Sequence, residues 1–439
     1  MANASAQLFD RAQRAVPAGV NSNTRARSPH PFYFQTASGP WLTDADGRQW
    51  LDMVMGNGAV MLGHNHPQVQ EAVRQAVDRG MTTGVESALS VEVAELFLDQ
   101  VPTLDMVRFT NTGTEAVQHA LQLARHATGR RRIAKVEGAY HGWSDELFVS
   151  VWADVTKAGT VNNITPLAGT TGLRDDVVDD VLVVPFNDLE RTEQRIAQAA
   201  DQIACLLLEP VMIDIGVIEP TPEYLAGLRQ LCDRHGIVLL FDELLTGFNV
   251  APGGAQARYG VTPDLATYGK ALANGYPLAA LAGREDLMRM TEPGKGPAFV
   301  GTFNGHAISM AACQATLQVL QDGSVQKTVA DRSEALARQF EGWAKSAGID
   351  AVMTACGSHV HWFFAAQSPT DYRSAASVDR AAYAAFNTAL ERAGVVTLPN
   401  PLSHHAISLA HDQAALDRLA EAMEAGFAAV AEARASAGT

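Results

Sequence analysis

Asp242 and Lys270 are the residues of this chain most suited to doing chemistry together. Asp242 closes the apolar run Ile237 to Phe241, whose length and branching are those of a strand buried on both faces. A carboxylate at the end of such a strand is costly unless a cation or several donors meet it. A second buried run, Asp264 to Tyr268, leads into Gly269-Lys270, and a third, Leu278 to Ala282, follows a Gly/Pro turn. Open α/β sheets bind ligands at strand ends of this kind. A carboxylate and an amine offered to one pocket suit pyridoxal 5'-phosphate (PLP). The lysine forms the imine, and the aspartate keeps the pyridine nitrogen protonated so that the ring becomes an electron sink. Taken alone, a Gly-Lys pair is more often a solvated turn. A magnesium-dependent phosphate loop is excluded: Gly260 lies nine positions before Gly269, and Ala271 stands where Ser or Thr is required.

Other segments add candidate groups. Gly113-Thr114 open a helical pattern after the strand Met106 to Thr110. Backbone amides at a helix N-terminus, with a glycine for close approach and a hydroxyl beside it, form an anion site. A plain helix capped by Thr112 or Thr114 reads equally well. Tyr140-His141-Gly142 follow the strand Arg132 to Val136 and offer an aromatic face to a flat ring, although Tyr and His also fill core edges. His64 and His66 have no further His or Cys at ligand spacing, so zinc is not expected. The dense basic run Arg130 to Arg132 follows a helix C-terminus at Gly129, where the dipole favours cations, and reads as a solvated cap.

These groups need an α/β frame. Strands Val181 to Pro185 and Ile203 to Leu208 alternate with helices Asp188 to Ala199 and Pro222 to His235. The alternation predicts a mostly parallel sheet with helices on both faces. Residues Ala153 to Asp180 carry little regular pattern, and a loop of that length in a compact domain is more often functional than accidental. A small-residue helix, Ala307 to Leu320, closes the alternating part. Beyond it come long helices and short strands, so a second domain begins between residues 310 and 325. With 439 residues and 47% hydrophobic content the chain can bury a large core. A net charge of -15, from 33 basic and 48 acidic residues, opposes nucleic-acid or anionic-membrane binding. The four cysteines are far apart and read as reduced, buried thiols. No apolar run is long enough to span a bilayer and no signal peptide is recognisable, so the expectation is a soluble, cytoplasmic protein.

In chain order, GVNSNTRA, TDADGRQWLD, LGHNHP, RFTNTGTEAV, EGAYHGWSD, LLLEPV, LLFDELLTGF, GVTPDLATYGKALANGYP, VGTFNGHAISMAA and SLAH together resemble the class III PLP-dependent aminotransferases of fold type I. Within them the likeness is to glutamate-1-semialdehyde aminomutases and their aminotransferase relatives. The resemblance implies an α/β architecture with a large PLP-binding domain over residues 59–315. A smaller α+β domain would join the C-terminal residues 316–439 to the N-terminal segment 1–58. It further implies that Lys270 carries the imine and shuttles the proton, and that Asp242 pairs with the pyridinium nitrogen. Gly113 and Thr114 would hold the phosphate, with Tyr140 stacked on the ring and His141 beside it. Thr302 would reach the phosphate of the neighbouring subunit in a homodimer with shared active sites. Arg25 would bind the carboxylate of a small amino or keto acid substrate, with Arg27 as a competitor whose alternative is a solvated loop residue.

The departures from the family pattern concern the substrate walls. Asn57 stands where the mutases carry tryptophan, and Ser403 where they carry glutamate. Asn249 replaces a usual arginine, and Asp214 replaces an asparagine that supports the ring hydroxyl. A second carboxylate near a phenolate is repulsive unless protonated or turned away. The expectation is transamination between separate substrates. The alternatives are glutamate-1-semialdehyde 2,1-aminomutase and, from another class, a non-catalytic fold-type-I binding protein.

Overall fold

The computed structural model describes residues 4–80 and 82–437. Its centre is a seven-stranded sheet in the order Met106–Thr110, Ala279–Gly283, Leu265–Tyr268, Val238–Asp242, Ile203–Leu208, Arg132–Val136, Val181–Val184. All strands run parallel except Ala279–Gly283, which is antiparallel to both neighbours. That strand follows Lys270 through only a short turn, so no crossover helix intervenes and it must reverse direction. In the register, Leu240 lies beside Leu265 and Asp242 beside Thr267. Asp242 and the chain leading to Lys270 therefore leave the sheet at the same edge.

Continuous apolar strands demand cover on both faces. One face packs on Val69, Phe97, Leu228 and Leu317; the other packs on Val117, Ala120, Leu121 and Ala124 of the helix Gly113–Thr128. The alanines let this helix lie close against the sheet, directly above the edge where Asp242 emerges. A separate cluster joins Leu51 and Met53 to Phe340, Trp362, Phe386 and Phe427. The N-terminal strands enter this second unit through a parallel pairing of Val395–Val396 with Gln49–Asp52. Its other sheet is Val352–Cys356, His359–Phe363 and His405–Ala406, backed by the helices Ser324–Ala347, Arg380–Arg392 and Gln413–Ala437. Among the described residues no helix is long and apolar enough to cross a membrane.

Several details differ from expectation. The long loop 153–180 holds a small hairpin, Gly159–Thr160 with Asn163–Ile164, and a short helix, Asp175–Asp179. Arg130 is not a solvated cap on its own helix, which ends at left-handed Gly129. Its guanidinium donates instead to the carbonyls of His235, Gly236 and Ile203 at 2.9–3.1 Å, tying the end of the helix Tyr224–His235 to the sheet. The helix Arg380–Arg392 follows Asp379, whose carboxylate accepts from the Ala382 amide at 2.9 Å and caps it. All four cysteines are buried and free.

Candidate active site

A cavity opens at the sheet edge, lined by Asn111, Gly113, Thr114, Tyr140, His141, Glu209, Asp242, Leu244 and Lys270 among others. Six of the residues singled out from sequence meet there: Gly113, Thr114, Tyr140, His141, Asp242 and Lys270.

Thr112 is the N-cap of the helix Gly113–Thr128. Its hydroxyl accepts from the Glu115 amide at 3.3 Å, and the Glu115 carboxylate accepts from the amides of Thr112 (3.0 Å) and Asn111 (2.8 Å). This reciprocal cap satisfies the donors around the helix start but leaves the Gly113 and Thr114 amides without an acceptor among the described residues. Both point with the helix dipole at the cavity, which is the arrangement that binds an anion. Gly113 is needed for space: a Cβ there would lie 2.5 Å from Leu244 Cδ1.

The Asp242 carboxylate is held on both oxygens. His141 Nδ1 donates to Oδ2 at 2.8 Å, and the Leu244 amide donates to Oδ1 at 3.0 Å. Burial holds the His141 pKa below its usual value, with Asp242 partly opposing, so the ring is neutral with its proton on Nδ1. Its Nε2 is buried with no partner among the described residues. Lys270 begins a short 3-10 turn with φ 48, a left-handed conformation that costs a non-glycine residue of order 1–3 kcal/mol. Burial lowers the pKa of its amine, while Asp214, Glu209 and Asp242 pull it back up. The tension favours an amine that can reach its neutral, nucleophilic form.

Glu209 was missed from sequence. It follows the buried strand Ile203–Leu208 just as Asp242 ends Val238–Asp242, so the same argument about strand-end carboxylates would have found it. One of its oxygens accepts from the Ile213 amide at 3.1 Å; the other, Oε1, is buried and unpaired among the described residues. Burial raises its pKa well above the carboxylate range. Asp214 turns to Trp152, whose Nε1 donates to it at 3.2 Å, and burial pushes its pKa up to about 6. The indole thus holds its carboxylate, while burial makes it easier to protonate than an ordinary aspartate. Tyr140 stacks on Trp152, with ring centroids 5.7 Å apart and planes 5° from parallel.

The cavity suits a flat ring carrying an anionic tail. Unpaired amides wait at the helix end, an anchored carboxylate and an unpaired imidazole nitrogen lie below, and an aromatic pair and an amine flank it.

The aminotransferase class-III family profile matches residues 23–423. The chain belongs to the class III aminotransferases. Members of this family are PLP-dependent enzymes, which sets aside a purely non-catalytic binding protein. A curated relative from Thermomicrobium roseum, glutamate-1-semialdehyde 2,1-aminomutase, is 37% identical over 431 residues, covering 97% of this chain and 98% of its own. An omega-transaminase from Sphaerobacter thermophilus superposes with a TM-score of 0.92 at 32% identity, covering 98% of each chain. A β-phenylalanine aminotransferase from Variovorax paradoxus gives 0.83 at 29%, covering 96% of this chain and 93% of its own.

Four of the expected residues of this class III aminotransferase do not line the cavity. Thr302 is exposed in the turn Gly301–Gly305, which is tied to Asn111 by a bond from Asn111 Nδ2 to Asn304 Oδ1 at 3.2 Å. Arg25 is exposed, and its side chain has no ion pair or hydrogen bond among the described residues. Asn57 is exposed in a left-handed conformation, in a segment packed beside the turn Lys270–Ala273. Ser403 offers its carbonyl to His361 Nδ1 at 3.0 Å.

Two alternatives are corrected. Arg27 is not a solvated loop residue: it pairs with Glu391, donates to the Thr397 carbonyl and lies over the Phe32 ring at 4.7 Å. It is thereby committed to packing and is no rival to Arg25. Asn249, in place of the usual arginine, is buried and bridges the carbonyls of Gly58 and Leu245 at 3.2 and 3.0 Å. Its role is to tie the Asn57 segment to the active-site loop.

Proposed function

We propose that this enzyme transfers an amino group between separate amino and keto compounds, at least one bearing a carboxylate. The observation that carries the reading is the convergence of the Asp242–His141 pair, Lys270 and the free helix amides on one cavity. PLP, when bound, supplies the electron sink that makes the α-proton of an amine removable. Asp242 holds a protonated ring nitrogen, and His141 orients Asp242. The Gly113 and Thr114 amides bind the phosphate. Lys270 Nζ takes the proton from the substrate's α-carbon and returns it on the cofactor side, a role worth about 10²–10⁴-fold in rate. Arg25, with its unpaired guanidinium, receives the carboxylate. Asn57, in a segment beside the turn Lys270–Ala273, and Ser403 lie outside the cavity lining; with neither a large aromatic nor a carboxylate at these positions, nothing there closes the way out for a keto product. Residues 59–315 form the cofactor-binding domain, and 316–439 with 1–58 form the smaller one, whose own core joins Leu51 and Met53 to Phe340, Trp362, Phe386 and Phe427. The enzyme acts as a cytoplasmic homodimer.

A second reading, glutamate-1-semialdehyde 2,1-aminomutase, is favoured by the 37% identity to a relative of that name. A screen of amines against purified holoenzyme, following loss of the cofactor's absorbance and its recovery with keto acids, separates the two. Turnover of at least one separate amino/keto pair is expected. Efficient conversion of glutamate 1-semialdehyde to 5-aminolevulinate, with no turnover of any separate pair, would establish the aminomutase.

A further inference from the structure

Lys135 is a second buried lysine near the cavity, and nothing in the reaction as described uses it. It is on the strand Arg132–Val136 and is wholly inaccessible to solvent. Its amine donates to three carbonyls: Ala139 at 2.9 Å, Leu147 at 2.9 Å and Val149 at 2.7 Å. An ammonium has three N–H donors, whereas a neutral amine has two and a lone pair that would face the third oxygen. Burial draws the pKa of this group down to about 7, and the charge of Glu209 draws it back up. The three acceptors select the ammonium form.

The three carbonyls belong to two separate turns. Ala139 directly precedes Tyr140 and His141; Leu147 and Val149 precede Trp152. The second of these turns is conformationally demanding, since Ser150 (φ 54) and Trp152 (φ 45) adopt left-handed backbone. The amide of Gly138 reaches the Ser150 carbonyl at 3.0 Å, closing the two turns on each other around the ammonium. From these turns Tyr140 and Trp152 emerge as the parallel stacked pair, and His141 emerges to hold Asp242. A packing lysine would need no three-fold carbonyl cage; an apolar residue of that length fills the same volume without the cost of burying a charge.

We propose that Lys135 is a positioning residue: by holding both turns, it sets the Tyr140–Trp152 stack and the His141–Asp242 link against the cofactor ring. The inference rests on the PLP site described above but not on which amine is transferred. It is tested by cofactor binding, without turnover. Lys135→Met keeps the volume and removes all donors, and Lys135→Gln keeps two donors on a shorter stem. Apoenzyme is titrated with PLP, and the visible circular dichroism per bound cofactor is recorded as a measure of ring orientation. The expected result for Lys135→Met is a PLP Kd raised at least tenfold and a diminished dichroic band. KM for the amine should stay within about twofold while kcat falls. Lys135→Gln should lie between wild type and the Met variant, and it carries the comparison if the Met variant does not fold. A folded variant with a lowered Tm but wild-type PLP affinity and dichroism would overturn the proposal, leaving Lys135 a purely structural pin. If the proposed transamination proves wrong, no amine and keto pair turns over, yet the PLP measurements stand unchanged.

Discussion

Lys270 and Asp214 are where single side chains decide the chemistry. Lys270 combines left-handed backbone, a lowered amine pKa and carboxylates on its cavity side. Borohydride reduction of holoenzyme followed by peptide mapping should therefore place the phosphopyridoxyl mass on Lys270; finding it on Lys295 would remove the assignment. Asp214 yields a pH prediction. Its pKa is raised from 3.8 to about 6, so the folded state binds the proton more tightly than the unfolded one. Stability from this group is complete below 3.8 and is lost as pH rises through about 6. Asp214→Asn has no such loss. The apoenzyme variant should melt a few degrees above wild type at pH 8, with the gap closing as pH falls below about 6. A gap independent of pH between 4 and 8 would mean that Asp214 is ionised throughout.

At the level of elements, the helix Gly113–Thr128 is built to approach the sheet and present its end. Its alanines set the approach, and the Thr112–Glu115 cap leaves two amides free. Gly113→Ala would put a methyl 2.5 Å from Leu244 Cδ1 and force one of the two to move. The helix itself should lose nothing, because Ala is the better helix former. The expected outcome is PLP affinity lowered about tenfold or more with a Tm of the apoenzyme within a few degrees of wild type, read by equilibrium dialysis and calorimetry. Unchanged affinity would mean that the phosphate does not approach this helix end. The turn Gly301–Gly305 is the complementary element, tied to the cavity through Asn304 and Asn111 while Thr302 faces outward.

For the whole molecule, the outward face of Thr302 leads to the prediction that two chains complete one site. Phe303 and Val300 beside it are exposed large apolar residues, as is Trp143 next to the cavity residue Gly142. Hybrid dimers of Lys270→Ala with Thr302→Ala subunits provide the test. If the turn crosses to the partner, each hybrid holds one doubly defective and one intact site, and activity should approach half of wild type per dimer. Hybrids no more active than the Thr302→Ala parent would place Thr302 in its own chain's site.

Periodicity and local chemistry in the sequence determined the parallel strands, the helix start at Gly113 and the strand-end pair Asp242 and Lys270. Each of these rests on residues close in the chain: a buried apolar run ends where a polar group begins, and Gly113-Thr114 directly follow a strand and open a helical pattern. The antiparallel strand Ala279–Gly283 was legible as a strand but not in direction, because direction depends on which neighbour it pairs with. Arg27 and Arg130 could not be separated from solvated cations in sequence, since their partners Glu391 and His235 lie far along the chain. Glu209 had the same local signal as Asp242, yet its place at the cavity follows only from strand order. Lys135 carried no signal at all: a lysine in an apolar strand acquires meaning only when Ala139, Leu147 and Val149 fold three carbonyls around it. Burial is a property of the packed chain, and burial is what turns these charged side chains from solvated groups into fixed partners.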